Sequence, residues 1–219
     1  VTPSGTTVVI KNQVINTAKA VHHLYDLLKT NRFVLDKQTF CSLHALLAKE
    51  EALEWGHFRG ECKEKNYTPS VLLGEKGVHI PIKTDNGAVA LNKQFNIVLE
   101  TIKHYRPFEQ ACIFFLSGAL EQYFFDGNKR TSRLMMNGVL LSAGMNAISI
   151  SAEAETEFNE NMVDFYLTKD ADNMLLFLCN NYCLYKLSTL IEQCDEQAER
   201  DVDVVIWQND MKPAGKEVW

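Results

Sequence analysis

Two strongly apolar runs separated by a ten-residue segment, three aromatics followed by turn-prone and basic residues, constrain this chain more than any other feature. Ala111-Cys-Ile-Phe-Phe-Leu-Ser-Gly-Ala-Leu120 reads as a buried helix, and Pro107 is tolerated in its first turn. Thr131-Ser-Arg-Leu-Met-Met-Asn-Gly-Val-Leu-Leu141 reads as a second helix, with Met135 and Met136 as core residues. Between them stand Asp126, Gly127 and Asn128, which favour turns and accept positive φ. Such a turn aims backbone N–H groups at the positive end of the next helix, a geometry that binds anions and phosphate above all. Arg130 and Arg133 are three apart, so they share a helix face and can grip one polyanion. A carboxylate beside them, Asp126, repels phosphate unless a divalent cation, usually Mg²⁺, bridges the two. A nucleotide or polyphosphate with Mg²⁺ is the ligand class this predicts.

The whole segment Gln122-Tyr-Phe-Phe-Asp-Gly-Asn-Lys-Arg-Thr-Ser-Arg133 resembles the signature of the Fic (Fic/Doc) family, His-x-Phe-x-Asp/Glu-Gly-Asn-Gly/Lys-Arg-x-x-Arg. Phe124, Asp126, Gly127, Asn128, Lys129, Arg130 and Arg133 match; Gln122 stands where the family has His. Glu54-Trp-Gly-His-Phe-Arg59 is similar to the family's segment upstream of its flap, and the resemblance extends over roughly residues 8–185. It implies a mainly helical bundle with a small β-hairpin flap, and transfer of AMP from ATP to a hydroxyl side chain of a target protein. It also implies that Asp126 holds Mg²⁺. Phe124, Gly127, Asn128, Lys129, Arg130 and Arg133 would then form the ATP site, and the target protein would dock on the flap.

Gln122 departs from that pattern where it matters chemically. The family His is the general base that takes the proton of the attacking hydroxyl, and imidazole suits this because it titrates near neutrality. An amide only donates or accepts hydrogen bonds. Losing a positioned base costs about 10²–10⁴-fold in rate while leaving phosphate and metal binding intact. Two readings stay open: an AMP-transferase impaired at its base, and a nucleotide-binding pseudoenzyme or partner-binding module without transfer. Many family members also carry an inhibitory Ser/Thr-x-x-x-Glu-Gly/Asn helix whose Glu pairs with the motif's second arginine, here Arg133. Glu192, in Ser188-Thr-Leu-Ile-Glu-Gln193, and Glu160, in Thr156-Glu-Phe-Asn-Glu-Asn161, are the candidates.

Elsewhere, helical spacing predicts a helix over 12–29, a second opened by Asp36, and a third over 92–105. Further helices are expected from Ala152 and over 174–182, and Gly144 is a C-terminal cap. Thr7–Ile10 reads as a short strand or buried cap. Val78–Lys83 reads as a strand, with Thr84–Gly87 as its turn and a return strand near 88–91, so the flap is placed at 78–91. Pro81 restricts that strand to an edge, which suits pairing with an extended segment of a partner. For Arg59 two readings stand: packing beneath the flap, as the family segment it resembles does, or pairing with Glu61 or Glu64. One Fic-like domain over 1–186 and a C-terminal helix and tail over 187–219 complete the reading.

A net charge of −6 argues against nucleic acid as a partner. The apolar runs are too short to span a membrane, and the polar start shows no secretory leader. Six cysteines without a CxxC pair fit reduced thiols and a cytoplasmic setting; Cys112 and Cys179 read as core.

Overall fold

The computed structural model describes residues 6–185. The described chain is mainly helical, with α1 Thr6–Lys29, α2 Lys37–Leu47, α3 Val89–Ile102, α4 Pro107–Glu121, α5 Asn128–Ser142, α6 Glu155–Thr168 and α7 Asp172–Asn180. Two short antiparallel pairs complete it: β1 Val71–Leu72 with β2 Val78–His79, and β3 Ala147–Ile148 with β4 Tyr182–Tyr185. The expected helical bundle with a small hairpin is what forms.

The two apolar runs make the central pair, α4 against α5. Gly118 and Ser132 set how closely they approach, since a Cβ at 118 would lie 2.0 Å from Ser132 Oγ. Pro107 opens α4 at its first position, where its missing N–H costs nothing. Gly144, at φ +72°, follows the last turn of α5, and its N–H bonds Leu141 O. Asp36 caps α2 by accepting the amide of Thr39 at 2.8 Å.

Each face of the pair buries its own core. On one side Leu116, Met136, Leu140, Met162, Phe165 and Phe177 join α4, α5, α6 and α7. On the other, an aromatic cluster sits directly beneath the segment joining α4 to α5. Phe40 lies at its centre, with ring centroids 4.8 Å from Phe124, 5.3 Å from Phe114 and 5.9 Å from both Phe95 and Tyr123. The Phe95 pair is stacked and the other three meet edge to face, and such aromatic pairs add about 0.5–1.5 kcal/mol each beyond burial. The turn thus rests on a rigid aromatic floor.

Several local expectations change. Residues 7–10 form the first turns of α1, where a strand or cap was expected. The hairpin is real but lies at 71–79: β2 pairs backwards with β1 (Val71 with His79, Leu72 with Val78) around a 3₁₀ turn at Gly74–Lys76. Residues 89–91 begin α3 and form no return strand, because Ala88 takes a left-handed conformation and its carbonyl accepts the amide of Asn92. The segment after Asn180 turns into β4, where a continuing helix was expected. Cys112 is buried, whereas Cys179 points to solvent from the outer face of α7. Residues 187–219, with Glu192, lie outside the described residues.

Candidate functional site

The joining segment 122–128 is held by its own side chains before any ligand is considered. Gln122 ends α4 in a left-handed conformation (φ +50°) and is 3% exposed. Its Nε2 donates to Ala119 O at 2.6 Å, and its Oε1 accepts from Asn128 Nδ2 at 2.8 Å. Asn128, fully buried, also donates Nδ2 to Phe124 O at 2.9 Å and accepts the Phe124 amide on Oδ1 at 2.8 Å. Both ends of both amides are therefore occupied. Gly127 then turns the chain at φ +74°, a conformation that costs a glycine least, and α5 begins.

Two buried side chains brace this segment from outside it. Arg59 has no exposed surface. Its Nε donates to Gln122 O at 2.6 Å, Nη1 to Thr84 Oγ1 at 2.6 Å, and Nη2 to Ile82 O and to Glu121 O at 3.2 Å. Its own amide donates to Tyr123 O at 2.9 Å. The guanidinium thus sits on the carbonyls at the C-terminal, negative end of α4. Burial lowers its pKa to about 10, leaving it charged at neutral pH. It does not pair with Glu61 or Glu64. Glu61 is held by Lys37 and Asn92, and Glu64 caps the amides of Asn66 and Tyr67.

The second brace is His44, which sequence reading overlooked. It lies fully buried in α2, stacked on Phe124 with centroids 3.7 Å apart and planes 6° from parallel. Nε2 bonds Asp126 O at 2.9 Å, and Nδ1 accepts the amide of Gly56 at 3.0 Å. A carbonyl on one nitrogen and an N–H on the other fix the neutral Nε2–H tautomer. Burial lowers its pKa to about 3. His44 therefore cannot substitute for the base that Gln122 lacks. Its sequence signal was a polar residue on the apolar stripe Phe40, Leu43, Leu47 of α2.

The outward side of the segment differs. The first-turn amides of α5 have no acceptor within the helix, apart from that of Thr131, which reaches Gly127 O. Arg130 and Arg133 leave this turn as neighbours. Arg130 Nη2 pairs with Glu51 Oε2 at 3.0 Å, while its Nη1 is buried with no acceptor among the described residues. Glu51, whose side chain is only 2% exposed, is also held by Asn16 Nδ2 of α1 at 3.1 Å. Nothing in the run Lys49-Glu50-Glu51 distinguished it beforehand. Arg133 is partly buried and forms no hydrogen bond or ion pair among the described residues. Desolvation, then the neighbouring charge of Arg130, lower its pKa. Lys129 is partly buried beside them, and the Phe124 ring lies in the core, so Phe124 serves the loop through its backbone. Glu160 meets neither arginine: it is exposed on α6, whose apolar face packs on α7 and the α4–α5 core.

A cleft of about 430 Å³ opens between this turn and the hairpin. Gln122, Phe125 and Asp126 line it from the turn, Glu51 to Leu53 from the segment after α2, and Tyr67, Pro69, Ser70 and Leu72 from the hairpin side. The hairpin is tied to the site by His79, whose Nε2 donates to Leu120 O at 2.7 Å, two residues before Gln122. Its ring also stacks on Tyr166 at 4.9 Å. Val78 and Ile80 stay 50% and 73% exposed, leaving apolar side chains on the hairpin strand that pairs with Leu72 of the cleft wall.

Asp126 fits a magnesium ion in one respect. Its Oδ1 accepts the amide of Gly127 at 2.6 Å, and its other oxygen has no partner among the described residues. Mg²⁺ is commonly held by one or two carboxylates plus ligand phosphates, so a single carboxylate oxygen is sufficient from the protein. No group of three or more acidic, His or Cys side chains is arranged to hold a metal among the described residues. No helix among them is long and apolar enough to cross a membrane.

Comparison with known proteins agrees with this fold. The model of the Fic/DOC family matches residues 34–140. The structure of Fic-1 from C. elegans superposes with a TM-score of 0.61 at 19% identity, covering 91% of this chain and 55% of that one. A Fic domain containing signaling protein from Bacteroides thetaiotaomicron gives 0.58 at 15% identity, over 86% of this chain and 71% of that one. This chain thus spans little more than half of the C. elegans structure. No curated protein sequence matches. The family match covers α2, the hairpin and the α4–turn–α5 unit as far as Leu140, so residues 34–140 are a segment similar to the Fic/DOC family.

Proposed function

We propose that this domain binds a magnesium nucleotide on the outward side of the turn and is a Fic-type protein AMP-transferase weakened at its base position. One observation carries the reading: a partly buried Arg133 guanidinium, with no partner among the described residues, stands beside Arg130 at the start of α5. A desolvated cation without a counter-ion is costly unless an anion completes it. Under this reading phosphate oxygens meet the turn at Asn128 and Lys129, the Gly127 amide joins them once Asp126 Oδ1 turns from it to Mg²⁺, and Arg133 and the orphan Nη1 of Arg130 donate to further oxygens; Asp126 holds Mg²⁺, which offsets phosphate charge. ATP is the nucleotide that similarity to the family supports. A target protein lies along the exposed Val78–Ile80 edge, presenting its hydroxyl over the cleft toward Gln122. Cys41, Cys62, Cys112 and Cys179 are free thiols, which supports a cytoplasmic setting.

A second reading is favoured by the closure of the Gln122 amide on Ala119 O and Asn128 Nδ2. A residue so fully spent serves as a structural link, which suits a nucleotide-binding module that acts through a partner without transfer.

Incubation of wild type and Gln122→His with Mg²⁺, target-containing lysate and ATP labelled at the α-phosphate separates them. Transferase ancestry predicts label on protein rising about 10²–10⁴-fold in Gln122→His. Equal, background labelling by two variants that both bind nucleotide would overturn the transferase reading in favour of the second.

A further inference from the structure

The hairpin is anchored differently on its two sides. Val71 and Leu73, in and just after β1, enter the core between α4 and α7. On the returning side Val78 and Ile80 face solvent and His79 between them is buried, where strand alternation ordinarily puts an apolar residue. Its imidazole is used at both nitrogens and on its face. Nε2 donates to Leu120 O at 2.7 Å, Nδ1 lies 3.2 Å from Lys169 Nζ, and the ring stacks on Tyr166. A carbonyl at one nitrogen and an ammonium at the other select the neutral Nε2–H tautomer, accepting from Lys169. Lys169, in the left-handed C-cap position of α6, is steadied over the ring by a second bond from Nζ to Tyr166 O. The neighbouring carbonyls at this end of α4 are capped from elsewhere: Ala119 O by Tyr166 Oη and Gln122 Nε2, Glu121 O and Gln122 O by Arg59. His79 is the hairpin's own contribution to that cap.

We infer that His79 is a positioning residue: as a neutral imidazole clasped between Lys169 and the end of α4, it holds the hairpin wall of the cleft in place beside Gln122, and its protonation loosens that wall. No nucleotide is needed for the clasp to act. An imidazolium would aim the N–H on Nδ1 at an ammonium and would be a second buried cation beside it. The charged and titratable groups around the ring are Lys169 at the end of α6, Tyr166 in α6, and Glu121 in α4, whose carboxylate accepts from Gln94 Nε2 at 3.2 Å; β1 offers Val71 and Leu72 only. Burial and then Lys169 outweigh the Leu120 carbonyl, which favours a cation, and the His79 pKa lies below the ordinary imidazole value. Once the hairpin lifts, the ring is hydrated and returns to about 6.5. A group that binds its proton more weakly in the closed form than in the open form drives opening in acid. Closure is therefore fully favoured above about pH 6.5 and weakens as pH falls below it, by up to about tenfold per pH unit.

Hydrogen exchange of the hairpin amides, corrected for the intrinsic pH dependence of exchange, tests this on wild type and His79→Gln. Glutamine can keep the donor to Leu120 O without titrating. Hairpin opening in wild type is expected to rise at least about threefold between pH 7 and 5, and in His79→Gln to stay level. Opening that is flat in wild type, or that rises equally in both, overturns the inference. Lys169→Met, at an exposed position, supplies a second readout that does not depend on how His79→Gln folds. An NMR titration of the His79 ring is expected to give a midpoint below 6.5 in wild type that moves up in Lys169→Met. A midpoint unmoved by Lys169→Met contradicts the clasp.

Discussion

The inward and outward sides of the 122–128 turn are built from one short stretch of sequence and behave oppositely. Inward, every polar group of Gln122 and Asn128 is paired, Arg59 saturates the end of α4, and His44 fixes the carbonyl of Asp126 from below. Outward, Arg133, one nitrogen of Arg130 and one oxygen of Asp126 lack partners among the described residues. The contrast teaches how a site can be rigid and receptive together. Buried polar networks that are fully satisfied specify one conformation, and groups held on such a frame stay available without collapsing onto each other.

The largest way to break this contrast is to remove the brace. Arg59→Ala leaves the carbonyls of Glu121, Gln122 and Ile82 buried without donors and is expected to cost about 3–5 kcal/mol, read from urea unfolding. A loss below about 1 kcal/mol would mean the inward side does not depend on Arg59. A smaller effect concerns His44 and has a defined sign. Its pKa is about 3 in the folded chain against an ordinary value near 6.5, so below about pH 6.5 the unfolded chain takes up a proton that the folded chain refuses. Stability is therefore fully present above about pH 6.5 and declines as pH falls towards 3. His79, whose pKa burial also lowers, adds the same sign. Glutamine can keep the donor to Asp126 O without titrating, so thermal unfolding of His44→Gln should show a flatter decline between about pH 7 and 5. An unchanged slope would place the titration elsewhere.

The helices were legible where apolar spacing and punctuation agreed: Asp36, Pro107 and Gly144 mark ends that the fold keeps. The turn was legible as well, because Asp-Gly-Asn between two apolar runs has few other uses. The hairpin was placed partly wrongly because Pro81 and Asn86-Gly87 look like a strand's end and turn, whereas the partner strand came earlier, at Val71. Short pairs of two residues leave no alternation to read. The bracing residues were hidden for another reason. Arg59 and His44 act over 63 and 82 positions of sequence, and Glu51 meets Arg130 across 79. Periodicity reports on neighbours, so such partners emerge only when the core brings them together.

The claim on which all of this depends is that the outward cations form an anion site. Calorimetric titration of Mg–nucleotide into wild type and Arg133→Ala tests it most directly. The expected result is saturable binding in wild type and a loss of at least about tenfold in affinity in Arg133→Ala, with thermal stability unchanged or raised, since the residue lost has no partner among the described residues. Equal affinity in the two proteins, or no binding in wild type, would contradict it.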